Sequence, residues 1–302
     1  MAVIRTAPRS NWYRLSRHLV GYAFVAPALL VFIAFIIYPI AYSLRLSFHE
    51  WSGYTVEWGP FVGLQNYVEL AKDEVFWKAV KNSAVFVVVR TPLEVGLGFG
   101  LALLLDRAIP GRGLLRTLFF IPVVMSLVVV TIVFQRILET NSGLLNTFLV
   151  RVGLDSLAQP WLADPKTALG AIIAVSVWKN VGFSLVILLA GLQGLSQDVI
   201  EAARVDGANA PQLIARIITP LMRPILAMTA LLSIISGLKV FDLIFIMTRG
   251  GPVYSTEVLA TLLYRQAFEL NNMGLASAVA VVMVAIVMAT AAFQFAVLRG
   301  QE

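Results

Sequence analysis

The sequence predicts an all-α polytopic membrane protein with six transmembrane helices, and three observations carry that prediction. Of the 302 residues, 59% are hydrophobic and only 13% charged, with a mean hydropathy of +0.84, whereas soluble domains run about half apolar and a quarter charged. The apolar residues fall in long blocks. Residues 20–44 and 270–298 contain no charged side chain, and each exceeds the roughly 20 residues that cross about 30 Å of hydrocarbon. The basic residues are unevenly spread in the way that sets membrane topology.

The first span is read at 20–44. Arg5, Arg9, Arg14 and Arg17 precede it, but its apolar run is longer than the 7–15-residue core of a signal peptide, so it reads as a retained helix. Residues 1–19 form a short segment before it, and residues 20–302 a single transmembrane domain. Pro27 and Pro39 remove ladder hydrogen bonds and kink the span. Between Ser47 and Trp77 the chain is rich in Trp, Tyr and Phe, including Trp51, Trp58 and Tyr67, which fits an interfacial belt or a short helix on the outer leaflet.

The second span is read at 80–105, where Gly96, Gly98, Gly100 and Ala102 would let another backbone come close. The third is read at 117–138. The connection 139–167 carries turn signals at Asn141-Ser142-Gly143, Gln159-Pro160 and Asp164-Pro165. The fourth and fifth spans are read at 168–193 and 224–247, separated by a polar loop at 194–223. Gly250-Gly251-Pro252 stops the fifth, and the sixth covers 271–298. With the amino end inside, the inner segments hold eleven Lys and Arg residues against nine outside. Both termini and the 194–223 loop are then cytoplasmic. The net charge of +6 reflects this topology rather than nucleic-acid binding.

Several chemistries are absent. There is no cysteine, hence no disulfide, thiolate metal site or Cys nucleophile. No phosphate-cradling Gly-x-x-x-x-Gly-Lys-[Ser/Thr] occurs. The two histidines, His18 and His49, flank the first span and cannot share a metal. No nucleophile has a base beside it, so the chain is not an enzyme.

The 194–223 loop is the most distinctive segment. Ser196 suits an N-cap, Asp198 and Glu201 suit the first turns of a helix, and Asp206-Gly207 ends it. Pro211, with Asn209 as cap, opens a second helix whose apolar stripe is Ile214, Ile217, Ile218 and Leu221. The small residues Ala202, Ala203, Ala208 and Ala210 would let a partner sit close. On these features alone the loop is either a docking surface or an ordinary solvated hairpin.

Glu201-Ala202-Ala203, then Gly207, Ile217 and Pro220, resembles the signature loop of binding-protein-dependent ABC importer permeases. Thr219 stands where that family usually has leucine. The likeness extends through Gly63-Leu64-x-Asn66-Tyr67, Arg116 with Phe120-x-Pro122, Gly143-Leu144-Leu145-Asn146, Trp178, Ala190-Gly191-Leu192, Phe241-Asp242, Thr248-x-Gly250-Gly251-Pro252 and Gly274-x-Ala276-Ser277-Ala278. Together these are similar to carbohydrate permeases of the maltose and glycerol-phosphate type, and the Gly-Gly-Pro points to the first of the two permease subunits.

The resemblance implies that Glu201, Ala202, Ala203, Asp206, Gly207 and Ala208 couple the chain to a cytoplasmic ATPase. It implies as partners a second permease subunit, two ATPase subunits that carry ATP and Mg, and an extracytoplasmic solute-binding protein in a prokaryotic inner membrane. This chain would hold no cofactor of its own. The cargo implied is a sugar, oligosaccharide or glycerol-phosphate derivative.

Charges inside spans are the second signal, since each costs about 2.5–3.5 kcal/mol at the helix centre and so faces protein or water. Arg90 and Glu94 are spaced to pair along one helix face. Lys179 lies midway along the fourth span. Lys239 and Asp242 lie in the fifth, Lys239 about 22 Å along from Pro224. The resemblance implies a path lined by Asn180 and Ser184 from the fourth span and by Ser233, Ser236, Gly237, Lys239, Val240 and Asp242 from the fifth. Gly237 and Val240 stand where maltose-type permeases carry asparagines. The alternative is an ion-coupled secondary transporter or channel that uses Arg90, Glu94, Lys179, Lys239 and Asp242 as a relay.

Overall fold

A computed structural model describes residues 11–55, 59–107 and 109–299; Arg5, Arg9 and Trp58 lie outside them. Fifteen α-helices make up the described residues, and the only β-pairing among these is an isolated antiparallel bridge between His49 and Phe61.

The first span is one continuous rod. Helix α1 (Asn11–Phe32) passes through a π turn at Ile33–Ile37 into α2 (Tyr38–Leu46). The wide turn precedes Pro39, whose ring cannot donate to the ladder. No residue of the best membrane-crossing window in Tyr22–Leu46 is buried against the rest of the chain.

The aromatic segment after the first span forms the short helix α3 (Gln65–Lys72). Asn66 anchors it by donating to the carbonyls of Ser47 and His49 at 2.8 and 3.0 Å. Helix α4 (Glu74–Asp106) starts at Asp73, whose carboxylate caps Val75 N–H at 2.8 Å. At 33 residues it is about 50 Å long and extends the predicted second span at its N-terminal end. Its buried residues include Ala79, Ser83, Phe86, Arg90, Glu94, Gly98, Ala102 and Leu105, a stripe at three- and four-residue intervals.

The third span departs from expectation. Instead of one rod over 117–138, α5 (Arg112–Val124) and α6 (Leu127–Ile137) meet at a 96° bend. Pro122 removes one ladder bond, and Met125 takes an extended conformation that ends α5. A further helix, α7 (Leu144–Arg151), occupies the connection that reads as turns. Asn146 holds that connection by donating to the Thr140 and Gln159 carbonyls.

Helix α8 (Ala168–Gln193) is the central post, with 67% of its best membrane window buried. The polar loop after it forms α9 (Gln197–Val205), α10 (Ala210–Leu213), a π turn at Ile214–Ile218 and α11 (Thr219–Leu221). The chain then bends by 70° into α12 (Arg223–Leu238). The fifth span also differs from the continuous 224–247 expected: it breaks at 239–241 and resumes as α13 (Asp242–Thr248). Helix α14 (Leu259–Tyr264), a π turn at Arg265–Glu269 and the last span, α15 (Met273–Arg299), complete the order. The four long helices and the two bent pairs account for up to six crossings.

Packing is divided along the bundle. Near the hairpin, Val95, Ala102 and Leu105 of α4 and Leu185, Leu188 and Leu192 of α8 pack with Ile200, Leu213 and Ile218. At the other end Phe86, Ile172, Ile173, Leu243, Ile244 and Met247 form a second cluster. Of Gly96, Gly98, Gly100 and Ala102, only Gly98 and Ala102 face the bundle. A Cβ at 98 would lie 2.8 Å from the Ser184 side chain, whereas one at 96 or 100 would meet nothing within 4 Å.

Candidate functional site

The hairpin at 197–221 is shaped by local rules at both sides of its turn. Ser196 takes the N-cap position of α9, although its side chain makes no capping bond. Helix α9 ends in a left-handed Gly207 at φ +86°. Ala208 N–H donates to the Ala203 carbonyl and Gly207 N–H to the Arg204 carbonyl, each at 3.0 Å. This bond pair satisfies the last carbonyls of the helix. Asn209 and Gln212 then cap α10 reciprocally, each side chain accepting the other's backbone N–H at 3.0 Å.

The hairpin's two faces differ. Ile200, Ala203, Leu213 and Ile218 are buried against α4 and α8. Glu201, Ala202, Arg204, Asp206 and Gly207 are exposed, and Val205 is 87% exposed. Ala203 and Ala208, expected beside an external partner, instead pack wholly or half inward. Leu221, expected in the inner stripe, is exposed. A pocket of about 430 Å³ separates the hairpin from the bundle, with Asp106, Arg107 and Arg204 around apolar walls that include Leu192 and Ile214.

Deeper in the bundle, three helices meet at one carboxylate. Arg90 Nη2 pairs with Glu94 Oε2 at 2.8 Å, both side chains nearly solvent-free. Glu94 also accepts hydrogen bonds from Ser184 Oγ of α8 at 3.1 Å and from Ser233 Oγ of α12 at 3.0 Å. Arg90 Nη1 donates to the Ser233 carbonyl and to Ser236 Oγ at 3.1 and 2.9 Å. Thr91 Oγ1 lies 3.3 Å from Ser233 Oγ. Gly237 lets α12 come this close, because a Cβ there would sit 3.1 Å from Arg90 Nη1.

The pairing of Arg90 with Glu94 was legible from their spacing. The expected path residues Ser184 and Ser233 prove to be ligands of that same pair, and Thr91 was missed.

Lys179 was legible only as a charge. Its Nζ donates to the Pro122, Val123 and Met125 carbonyls at 3.1–3.2 Å. These groups lie at the C-terminal break of α5, where carbonyls lack intrahelical partners and a cation complements the helix dipole. Neighbouring Asn180 turns back onto the Ser176 carbonyl at 2.8 Å.

At the fifth-span break the remaining path candidates spread out. Ser236, Lys239 and Asp242 are exposed and Val240 is half-buried. No ion pair joins Lys239 to Asp242. Beside them Phe241, Phe245, Tyr264 and Phe268 form a ladder of rings with successive centroids about 5 Å apart.

A second buried ion pair lies in the connection between the fifth and last spans. Glu257 is 0% exposed and meets Arg265 at 2.9 Å, and Asn82 of α4 donates to the Glu257 carbonyl at 2.9 Å. A side chain at Gly250 would run into the Glu257 carboxylate. Burial lifts the Glu257 carboxyl above its ordinary value of 4.5, opposed by the Arg265 cation.

Residues 75–301 match the family model of the binding-protein-dependent transport system inner membrane component. The chain is 36% identical over 278 residues to the probable ABC transporter permease protein YurN of Bacillus subtilis, covering 91% of this chain and 94% of that one. It is 34% identical over 261 residues to the trehalose/maltose transport system permease protein MalF of Thermococcus litoralis, covering 86% and 87%. Among solved structures, a chain of a bacterial ABC transporter that imports the acidic polysaccharide alginate superposes with a TM-score of 0.83 at 24% identity. The match covers 95% of this chain and 98% of that one, a likeness of fold.

Proposed function

The chain belongs to the family of binding-protein-dependent transport system inner membrane components, and on that footing we propose that it couples solute passage to a separate ATPase through the 197–221 hairpin. It is a multi-pass permease subunit of an ABC importer. With a second permease it would enclose the path, and an external binding protein would deliver a sugar, oligosaccharide or glycerol-phosphate derivative. The sugar class is supported by relatives such as the trehalose/maltose permease. Two ATPase subunits would grip the hairpin from the cytoplasm, where both termini would also lie.

One observation carries the reading. The hairpin is braced by its own caps and packed along one face, yet presents Glu201, Ala202, Val205 and Asp206 outward. Nucleotide can drive a conformational change only through contacts that differ between states. An acidic, small-residue tip suits a basic-rimmed cleft on the ATPase. The pocket behind the hairpin leaves room for it to shift against the bundle.

The expected path residues divide accordingly. Asn180, Ser236, Lys239, Val240 and Asp242 remain available to solute, whereas Ser184, Ser233 and Gly237 shape the path from behind. A gradient-driven relay finds little support here, since Arg90 and Glu94 neutralise each other and Lys179 is spent on carbonyls.

The test is Glu201→Lys in the assembled importer. The subunit is expected to remain in the membrane with its partner permease but to lose the ATPase on purification, because the tip's charge is reversed. Undiminished co-purification of the ATPase overturns the coupling role.

A further inference from the structure

Four residues on three helices converge well behind the hairpin, in a way that the hairpin alone does not explain. Ser184 lies nine residues before the end of α8 and Ser233 ten residues after the start of α12. At 1.5 Å per residue both sit about 14–15 Å from the hairpin. The hairpin is thus the only covalent link between two helices that are tied at equal depth to one carboxylate of α4.

We propose that Glu94 is a positioning residue for transport. It makes the hairpin-side halves of α8 and α12 swing together about α4, so that displacement of the hairpin reaches the break at 239–241. This rests on the coupling role proposed above. Apolar faces in contact can slide past one another, and in lipid no hydrophobic force opposes the slide. A carboxylate that accepts from one serine on each helix, while Arg90 holds the second helix's backbone, fixes their register. Fixing register is the best-attested use of buried polar groups, which otherwise add little stability over an apolar replacement. Gly98 and Gly237 let the other two helices reach the joint.

The natural absence of cysteine permits single reporters: Val205→Cys on the hairpin and Lys239→Cys at the far break. The complete importer, with its partner permease, ATPase and binding protein, is reconstituted in proteoliposomes. Maleimide labelling of this chain is compared between the nucleotide-free and ATP–vanadate-trapped states. Both reporters are expected to change labelling rate by at least about five-fold, the lower end of typical site-to-site coupling.

In Arg90→Leu/Glu94→Leu, which exchanges the pair for apolar volume, the Val205→Cys response should persist and the Lys239→Cys response should vanish. Ser184→Ala/Ser233→Ala keeps both charges but cuts the links to α8 and α12. It should at least halve the Lys239→Cys response, and it decides the matter if the leucine pair fails to assemble. A full Lys239→Cys response in either assembled variant overturns the pivot while sparing the hairpin. A silent Val205→Cys in the otherwise unaltered chain overturns the hairpin reading and the pivot with it.

Discussion

The two buried ion pairs among the described residues, Arg90–Glu94 and Arg265–Glu257, have almost equal N···O separations of 2.8 and 2.9 Å but different surroundings. The first lies within the bundle, with two serine hydroxyls on its carboxylate and a carbonyl and a hydroxyl on its guanidinium. The second lies in a connection outside the spans. Neither Glu257 carboxylate oxygen has a hydrogen-bond partner beyond the ion pair, and Arg265 remains 20% exposed. A joint whose members are bonded across three helices holds geometry. The second pair, with one partner partly exposed, ties a connection to itself. Contact distance therefore says little about what a buried pair does; the remaining bonds decide it.

The largest effect that separates the two should come from Arg90→Ala. It leaves Glu94 charged and unpaired in the bundle, and breaking a buried pair from one side costs about 3–5 kcal/mol. The expected outcome is loss of monodisperse subunit in detergent, read by fluorescence-detected size exclusion. Recovery to normal amounts would mean that the serines alone satisfy the carboxylate.

Gly98→Ala tests the same joint from the side. Its Cβ would sit 2.8 Å from Ser184 Cβ and 3.1 Å from Leu185 N, and backbone yields poorly. Overpacking of this kind costs about 1–3 kcal/mol, so a lowered melting temperature is expected. Gly96→Ala and Gly100→Ala, which meet nothing, should melt as the parent does.

The smallest effect concerns the Glu257–Arg265 pair. Because burial raises the Glu257 carboxyl above 4.5, the folded state binds its proton more tightly than the unfolded chain. Its contribution to stability is complete below pH 4.5 and declines as pH rises through the raised value. Glu257→Gln should therefore flatten the fall in melting temperature above pH 4.5. An unchanged pH profile would show that Arg265 fully compensates the charge.

Legibility in the sequence tracks how local each feature is. The turn at Asp206–Asn209 could be read from Gly207 and the Asn209 cap, because both act on neighbours within the same segment, although the reciprocal Gln212 bond was not foreseen. The four long spans were legible from apolar length alone. The break in the third span was not. Pro122 alone signals a kink, and the cation that makes a full break tolerable, Lys179, lies 57 residues away from it. The joint shows the same limit. Arg90 and Glu94 are visible as a helical pair, but their serine partners lie 90 and 139 residues from Glu94, beyond any periodicity. Gly96, Gly98 and Gly100 looked equivalent by composition, yet alternate residues of a helix point about 200° apart, so only Gly98 meets α8.

The two caps that close the hairpin turn have a thermodynamic consequence for whatever engages it. A finger whose backbone is set before contact loses little conformational freedom when held, so less of the interaction energy is spent on ordering. The balance remains available as work on the helices behind it, and a substitution that melts the tip, such as one at Gly207, would weaken transmission even with every contacting side chain in place.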